Sequence, residues 1–135
     1  MRVVFDTNVI VAGLVAEGLC REILEVHVPD HVSILSDGLW RELVEKLASK
    51  FGLREADLPF LALYRRHAEW VEAEPLPEPV CRDVDDDLVL ATAIAGRAEL
   101  IVSGDADLTD LGGHAGIDIL SPRDFLARIH RHDTL

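Results

Sequence analysis

Acidic side chains follow short apolar runs at two points of this chain. Asp6 comes directly after the apolar run 3–5, and Asp105 follows the predicted strand 99–103, whose centre 100–102 is apolar, through a single glycine. Runs of this kind are typical of buried parallel strands, and the carboxyl ends of such strands form the crevice in which open α/β sheets bind ligands. Taken alone, Asp6 is equally well explained as the N-cap of the next helix. Together, the two residues predict carboxylates gathered at one edge of a sheet.

A third source of carboxylates is the segment 83–87, which holds four aspartates in five positions. It stands at the start of a helix predicted over 88–95, whose residues are apolar nearly all round. A helix dipole favours acids at its N-terminus, but four acids exceed what capping requires. We expect Asp87, or its neighbour Asp86, to reach the same edge of the sheet.

Glu42 is a fourth candidate, on a helix predicted over 39–51. Most helical glutamates simply face solvent. Glu42 differs because Leu39, Trp40 and Leu43 beside it are apolar, which places it near the boundary of the core. It can therefore join the acids at the sheet edge.

Carboxylates gathered in this way require a cation or protons, because each close pair repels by about a few kcal/mol. Oxygen-only ligands favour Mg²⁺ or Mn²⁺ over zinc or copper. Two such ions, about 3.5–4 Å apart, activate water and stabilise the leaving oxygen of a phosphodiester. The pattern predicts metal-dependent phosphodiester hydrolysis, with Asp6, Asp87 (or Asp86) and Asp105 gathered around the metal and Glu42 able to complete the cluster.

These residues need a scaffold in which strands and helices alternate. Strands are predicted at 3–5, 32–35, 99–103 and 117–120, with a short one within 70–73, and helices at 9–14, 19–26, 39–51, 55–71, 88–95 and 123–130. That order predicts an α/β fold with a largely parallel sheet and right-handed crossovers. At 135 residues, the chain fits one domain, 1–135, with a full core.

Several features bear on where the protein works. Asp6 and Asn8 interrupt the apolar N-terminal run, so we expect neither a signal peptide nor a membrane span. Cys20 and Cys81 stand far apart without metal-type spacing, which favours a reducing, cytoplasmic environment. The six histidines show no ligand spacing, and we expect them at the surface.

The net charge of −12 restricts the possible partners. Proteins normally bind polyanions through Lys and Arg, so an acidic chain is a poor generic binder of nucleic acid. Either the partner is not nucleic acid, or the acids surround divalent cations that reverse the local field. Composition alone does not separate these possibilities.

Two other uses of the acids fit less well. An EF-hand loop starting at Asp83 would need Gly at its sixth and Glu at its twelfth position, where the chain has Leu88 and Ile94. A phosphoaspartate enzyme or receiver would need a lysine near Asp6, but the only two lysines fall on the helix 39–51, away from any strand end.

In their order and spacing, these motifs resemble those of the PIN domain family. The matching segments are Phe5-Asp6-Thr7-Asn8-Val9, Ser36 with Glu42-Leu43, Cys81-Arg82-Asp83-Val84-Asp85-Asp86-Asp87 before Ala91-Thr92-Ala93, and then 102–108 and 119–125. The resemblance extends from Met1 to about Ile129. It points to the bacterial and archaeal branch of toxins in toxin–antitoxin pairs, related to VapC-type ribonucleases.

The resemblance implies a PIN-like three-layer α/β/α sandwich with a central, mainly parallel sheet, and cleavage of RNA that depends on Mg²⁺ or Mn²⁺. Position by position, the family's four acids are Asp6, Glu42, Asp87 and Asp105, with Asp107 as an auxiliary. Asp86 competes for the third place, although Asp87 has the better spacing to 91–93. Thr7, Asn8 and Ser103 match polar positions that support the site. Family members also form homodimers, and the toxins bind a small antitoxin protein.

The resemblance does not explain the charge, since few basic residues remain to bind RNA. We hypothesise that Arg65 and Arg66 line the rim of the RNA site. The leading interpretation is therefore a metal-dependent endoribonuclease, the toxin of a toxin–antitoxin pair. The alternatives are a catalytically silent PIN-like module that binds protein or RNA, and an acidic phosphatase that acts on small phosphoesters.

Overall fold

The computed structural model describes residues 1–133. In this part of the chain, one sheet contains the strands β1 (Arg2–Phe5), β2 (Val32–Ser36), β3 (Glu69–Val71), β4 (Leu100–Val102), β5 (Gly113–His114) and β6 (Ile117–Leu120). Their order across the sheet is β3-β2-β1-β4-β6-β5. Every neighbouring pair is parallel except β5 with β6.

Helices connect the strands. They are α1 (Thr7–Val15), α2 (Leu19–Glu22), α3 (Asp37–Phe51), α4 (Pro59–His67), α5 (Val84–Ala95), α6 (Ala106–Thr109) and α7 (Pro122–Asp133), with a π-helical turn at Ile23–His27 and a 3₁₀ turn at Glu55–Asp57. Within residues 1–133, no helix is both long enough and apolar enough to span a bilayer. The alternation of strands and helices confirms the predicted α/β fold.

Helices cover both faces of the sheet. Residues 3–5 of β1 are all buried, and successive side chains of a strand point to opposite faces. On one face, the ring of Phe5 meets that of Phe125 in α7, with ring centroids 5.8 Å apart. On the other face, the hydroxyls of Ser36 in β2 and Thr92 in α5 form a hydrogen bond of 2.8 Å. The protein is thus a three-layer α/β/α sandwich with a mainly parallel sheet, as predicted.

Helix α3 begins at the carboxyl end of β2. Ser36 is its N-cap, and the Ser36 hydroxyl accepts a hydrogen bond from the backbone N–H of Leu39 at 3.4 Å. Such a cap satisfies one of the free N–H groups in the first turn. The helix therefore starts at the sheet edge where the acids were expected, and Glu42 lies in its second turn.

The segment 55–71 differs from the single helix that the sequence predicts. A 3₁₀ turn comes first, closed by hydrogen bonds between Arg54 and Asp57. Helix α4 then starts at Pro59, a residue that suits the first helical position because it has no N–H to satisfy. After His67 the chain becomes extended, and 69–71 pairs with β2 as an edge strand. Strand pairing thus overrides helical periodicity at the end of this segment.

Candidate metal centre

Asp6 ends strand β1 in a buried position at the carboxyl edge of the sheet. Its backbone N–H donates to the carbonyl oxygen of Val102 at 2.9 Å, so β1 and β4 are still paired there. The hydroxyl of Ser103 donates to Asp6 Oδ2 at 2.6 Å. Burial raises the pKa of Asp6; the Ser103 hydrogen bond opposes this rise, and the charge of Glu42 adds to it.

The loop after β4 holds Asp105 close to Asp6. The hydroxyl of Ser103, which donates to Asp6, also accepts a hydrogen bond from the backbone N–H of Asp105 at 3.0 Å. Asp105 in turn caps α6, because its Oδ1 accepts from the N–H of Asp107 at 2.9 Å. Asn8 Oδ1 accepts from the N–H of Gly104 at 3.2 Å and ties the loop to α1.

Asp86, Asp105 and Asp107 form a compact group of carboxylates. Each residue contributes one carboxylate oxygen, and these three oxygens all lie within 4.8 Å of one another. Asp86 is only 6% exposed, and its Oδ2 has no hydrogen-bond partner within residues 1–133. Burial first, then the charge of Asp105 and a hydrogen-bonding contact with it, and then the charge of Asp6 raise the pKa of Asp86 to about 7. Asp6 therefore lies within electrostatic range of the group.

This carboxylate group has the donor set of a divalent-metal site. Three carboxylates supply oxygen ligands only, as Mg²⁺ and Mn²⁺ prefer. A buried oxygen without a hydrogen bond costs about 1–3 kcal/mol, and a cation would supply the missing interaction for Asp86. The residues present thus fit a divalent metal ion.

The structure places Asp86 in this group and turns Asp87 away from it, although sequence spacing favours Asp87 as the third acid. Asp87 Oδ1 accepts from the N–H of Cys81 at 2.7 Å, and its Oδ2 accepts from the N–H of Val80 at 3.2 Å. Successive residues of an α-helix point about 100° apart, so only one of the two can face Asp105. Asp87 instead ties the proline-rich loop 72–83 to α5.

Glu42 reaches the site from α3. The hydroxyl of Thr7 donates to Glu42 Oε2 at 3.3 Å, and Lys46 Nζ lies 3.0 Å from Glu42 Oε1. Lys46 lies on a helix and not at the end of a strand, but its position four residues after Glu42 is typical of a helical Glu–Lys ion pair. Beside Glu42 lies an open cleft of about 560 Å³, which Glu55 and Asp85 also line.

Arginines stand around these acids. The side chain of Arg82 is 87% exposed, and its Nη2 lies 2.5 Å from Asp107 Oδ1. No sequence motif predicts this contact. Arg65 Nη1 lies 3.1 Å from Glu55 Oε1, and its guanidinium is 5.4 Å from the ring centroid of Trp40. Arg65 thus lies at the cleft that Glu55 lines, and Arg66 beside it is exposed.

The raised pKa of Asp86 predicts how stability depends on pH. Folded Asp86 keeps its proton up to about pH 7, whereas an unfolded aspartate releases it near pH 4, so the metal-free protein should lose stability between about pH 4 and pH 7. Asp86→Asn removes this loss, and its melting temperature in EDTA should exceed that of the wild type most strongly at about pH 8. Thermal unfolding followed by circular dichroism measures the difference. An equal difference in melting temperature between Asp86→Asn and the wild type at about pH 5 and at about pH 8 would contradict the prediction.

Known proteins resemble this chain in sequence and in fold. The sequence profile of the PIN domain matches residues 2–107. Among solved structures, the fold is similar to the crystal structure of VapBC2 from Rickettsia felis bound to a DNA fragment from their promoter, with a TM-score of 0.62 and 15% sequence identity, over 90% of this chain and 98% of that chain. No curated protein matches the chain. Because the family profile matches well over half of its length, the chain belongs to the PIN domain family.

Proposed function

We propose that this PIN domain is a metal-dependent endoribonuclease, which hydrolyses the phosphodiester bonds of RNA. The observation that carries the proposal is the carboxylate group of Asp86, Asp105 and Asp107, in which one oxygen is buried without a partner. Burying acids together opposes folding, since each close pair repels at low dielectric. A cation that also serves catalysis gives a reason to retain them.

In this proposal, Asp86 takes the place that the sequence assigned to Asp87. Asp86 and Asp105 hold Mg²⁺ or Mn²⁺ together with Asp6, and Glu42 completes the cluster. A bound divalent cation would stabilise the negative charge that develops on the phosphate and make water a better nucleophile. Asp107 is an auxiliary ligand.

The polar residues of the site act by positioning these acids. The Ser103 hydroxyl donates to the Asp6 carboxylate and accepts from the backbone N–H of Asp105, so a single hydroxyl links the Asp6 side chain to the loop that carries Asp105. Thr7 orients Glu42, and Lys46 holds a positive charge 3.0 Å from it. Such outer contacts typically contribute about 10- to 100-fold to metal affinity or activity.

A direct test is cleavage of a labelled mixed-sequence RNA by the purified protein with Mn²⁺, Mg²⁺ or EDTA. We expect products with either metal, none in EDTA, and none from Asp6→Asn, which removes one ligand charge while keeping the shape of the side chain. Asp110→Asn, on the exposed surface after α6, is the matched control and should cleave normally. Full activity in EDTA, or in Asp6→Asn, would exclude the mechanism.

The same experiment separates the alternative functions. A catalytically silent binding module would bind RNA or protein but give no products under any metal. A phosphatase acting on small phosphoesters would hydrolyse an aryl phosphate and leave the oligonucleotide intact. The carboxylate group favours the nuclease over the silent module, because a binding module has no need of a metal-type site.

We further propose that the nuclease is the toxin of a toxin–antitoxin pair, acting in the cytoplasm as a homodimer that a small antitoxin protein inhibits. The similarity in fold to a VapBC2 structure supports this assignment. Expression of the protein alone should arrest growth, and Asp6→Asn should relieve the arrest. Light scattering after size-exclusion chromatography tests the homodimer.

Arg65 and Arg66 are proposed to bind RNA at the rim of the site. Both residues lie on α4, and Arg65 is already close to the cleft beside Glu42 through Glu55. Reversing both charges (Arg65→Glu with Arg66→Glu) should weaken RNA binding and reduce the salt slope by about one to two. Binding titrations at several salt concentrations measure this, with Arg123→Glu on α7 as the control. An unchanged slope would reject the rim.

A further inference from the structure

His27 contradicts the expectation that the histidines lie at the surface. It is only 7% exposed and sits at the end of the π-helical turn, where the N–H of Val28 donates to the carbonyl oxygen of Ile23 at 2.8 Å, one residue further back than in an α-helix. Its ring packs edge-on against Phe125, with centroids 6.1 Å apart. π-Turns of this kind often occur at functional sites because they redirect a side chain.

The imidazole of His27 forms no hydrogen bond within residues 1–133, and its ring nitrogens are not among the fully buried atoms that lack a partner. Solvent therefore reaches them although the residue as a whole is buried, and they are open to a ligand. The neighbouring ring is held differently, since His31 Nδ1 lies 2.6 Å from the carbonyl oxygen of His27.

Two such groups come from other elements. Glu22 on α2, His27 and His130 on α7 each offer one ligand atom, and these three atoms lie within 4.8 Å of one another. Around a tetrahedral zinc ion with bonds of about 2.0–2.1 Å, ligand atoms lie about 3.4 Å apart. Glu22 and His130 are exposed and can close this difference by side-chain rotation, while buried His27 provides a fixed ligand.

We propose that Glu22, His27 and His130 form a second metal site, for zinc or another borderline transition metal. Two imidazoles and one carboxylate are a known three-residue donor set for tetrahedral zinc, with water as the fourth ligand. The site differs in kind from the carboxylate group, whose oxygen ligands suit Mg²⁺ or Mn²⁺. The two sites would therefore prefer different metals. The mixed nitrogen and oxygen donors of this site suit zinc, and the oxygen donors at the sheet edge suit Mg²⁺ or Mn²⁺.

The position of the site suggests its effect. α2 packs against α7, and Phe125 of α7 is fully buried against the His27 ring. A metal bridging His27 and His130 would join α7 to the turn beneath it. Because the ion binds the folded chain and not the separated ligands, it should raise the melting temperature progressively as the free metal concentration exceeds the dissociation constant.

The test is a Co²⁺ titration of the full chain in saturating Mg²⁺, which occupies the carboxylate group. Co²⁺ is a spectroscopic substitute for zinc, and tetrahedral nitrogen–oxygen coordination gives visible absorption that is far stronger than that of octahedral oxygen sites. We expect one equivalent to bind with intense bands, Zn²⁺ to displace it, and Zn²⁺ to raise the melting temperature. RNA cleavage plays no part in this readout.

His130→Ala and Glu22→Gln are the variants of choice, since both residues are exposed and their loss leaves the core intact. Each should abolish the intense bands and the Zn²⁺-induced rise in melting temperature. His67→Ala, an exposed histidine on α4, should retain both. No intense absorption in the wild type, or absorption that persists in His130→Ala, would overturn the proposal.

Discussion

Asp86→Asn should lower the rate of RNA cleavage by more than about 100-fold, since even residues that only support metal ligands contribute about 10- to 100-fold. Asp86 presents a buried oxygen without a partner next to Asp105. Its replacement by an amide removes a negative charge from the metal site and leaves the side-chain shape almost unchanged. The cleavage rate at saturating Mn²⁺, and the affinity for Mn²⁺ by calorimetry, should both fall.

Asp87→Asn is the matched control, one residue along the same helix. It should retain cleavage within about tenfold, because its carboxylate binds the backbone of the loop 72–83 and not the metal group, and a hydrogen bond of this kind contributes a few kcal/mol at most. Circular dichroism of both variants would check that they fold. If Asp87→Asn were inactive and Asp86→Asn active, the placement of the third acid would be reversed.

Phe125→Ala should destabilise the protein by about 3–5 kcal/mol, the usual range for removing a buried aromatic side chain. Phe125 is fully buried, and its ring contacts the rings of Phe5, His27 and His31 at centroid distances of 5.8, 6.1 and 5.7 Å. The variant leaves a cavity between the sheet and α7, which the neighbouring rigid rings cannot fill. Denaturant unfolding measures the loss.

Phe51→Ala provides the comparison for this experiment. Phe51 ends α3 and is 45% exposed, so its removal should cost well under about 1 kcal/mol. A similar loss in both variants would show that the effect does not come from the core. A small loss in Phe125→Ala would mean that α7 is not part of the cooperative fold.

Local composition and chain order already predict the architecture and the place of two of the acids. The apolar runs at 3–5 and 100–102 are typical of strands covered on both faces, and an acid follows the first run directly and the second after Ser103 and Gly104. Because the carboxyl ends of parallel strands lie at one edge of the sheet, this pattern predicts that Asp6 and Asp105 lie close together there. These conclusions follow from local composition and chain order, and the structure shows both residues at that edge.

Local composition does not show which of two adjacent aspartates is the third acid of the site. Asp86 and Asp87 have the same side chain and lie on the same helix, so spacing cannot tell which of them faces the sheet. The choice depends on the rotation of α5 about its axis. Packing of its apolar residues on β1, β2 and β4 sets that rotation, and it directs Asp86 inward and Asp87 toward the loop 72–83.

Contacts between residues far apart in the chain depend on the tertiary structure. Arg82 reaches Asp107 across 25 positions, and His27 and His130 come together because α7 packs beside α2. No periodicity in sequence encodes such pairs, since they arise from how whole elements dock. Burial then changes the chemistry of a side chain, since it raises the pKa of Asp86. The sequence supplied these groups, and the packing of helices on the sheet determined which of them act together.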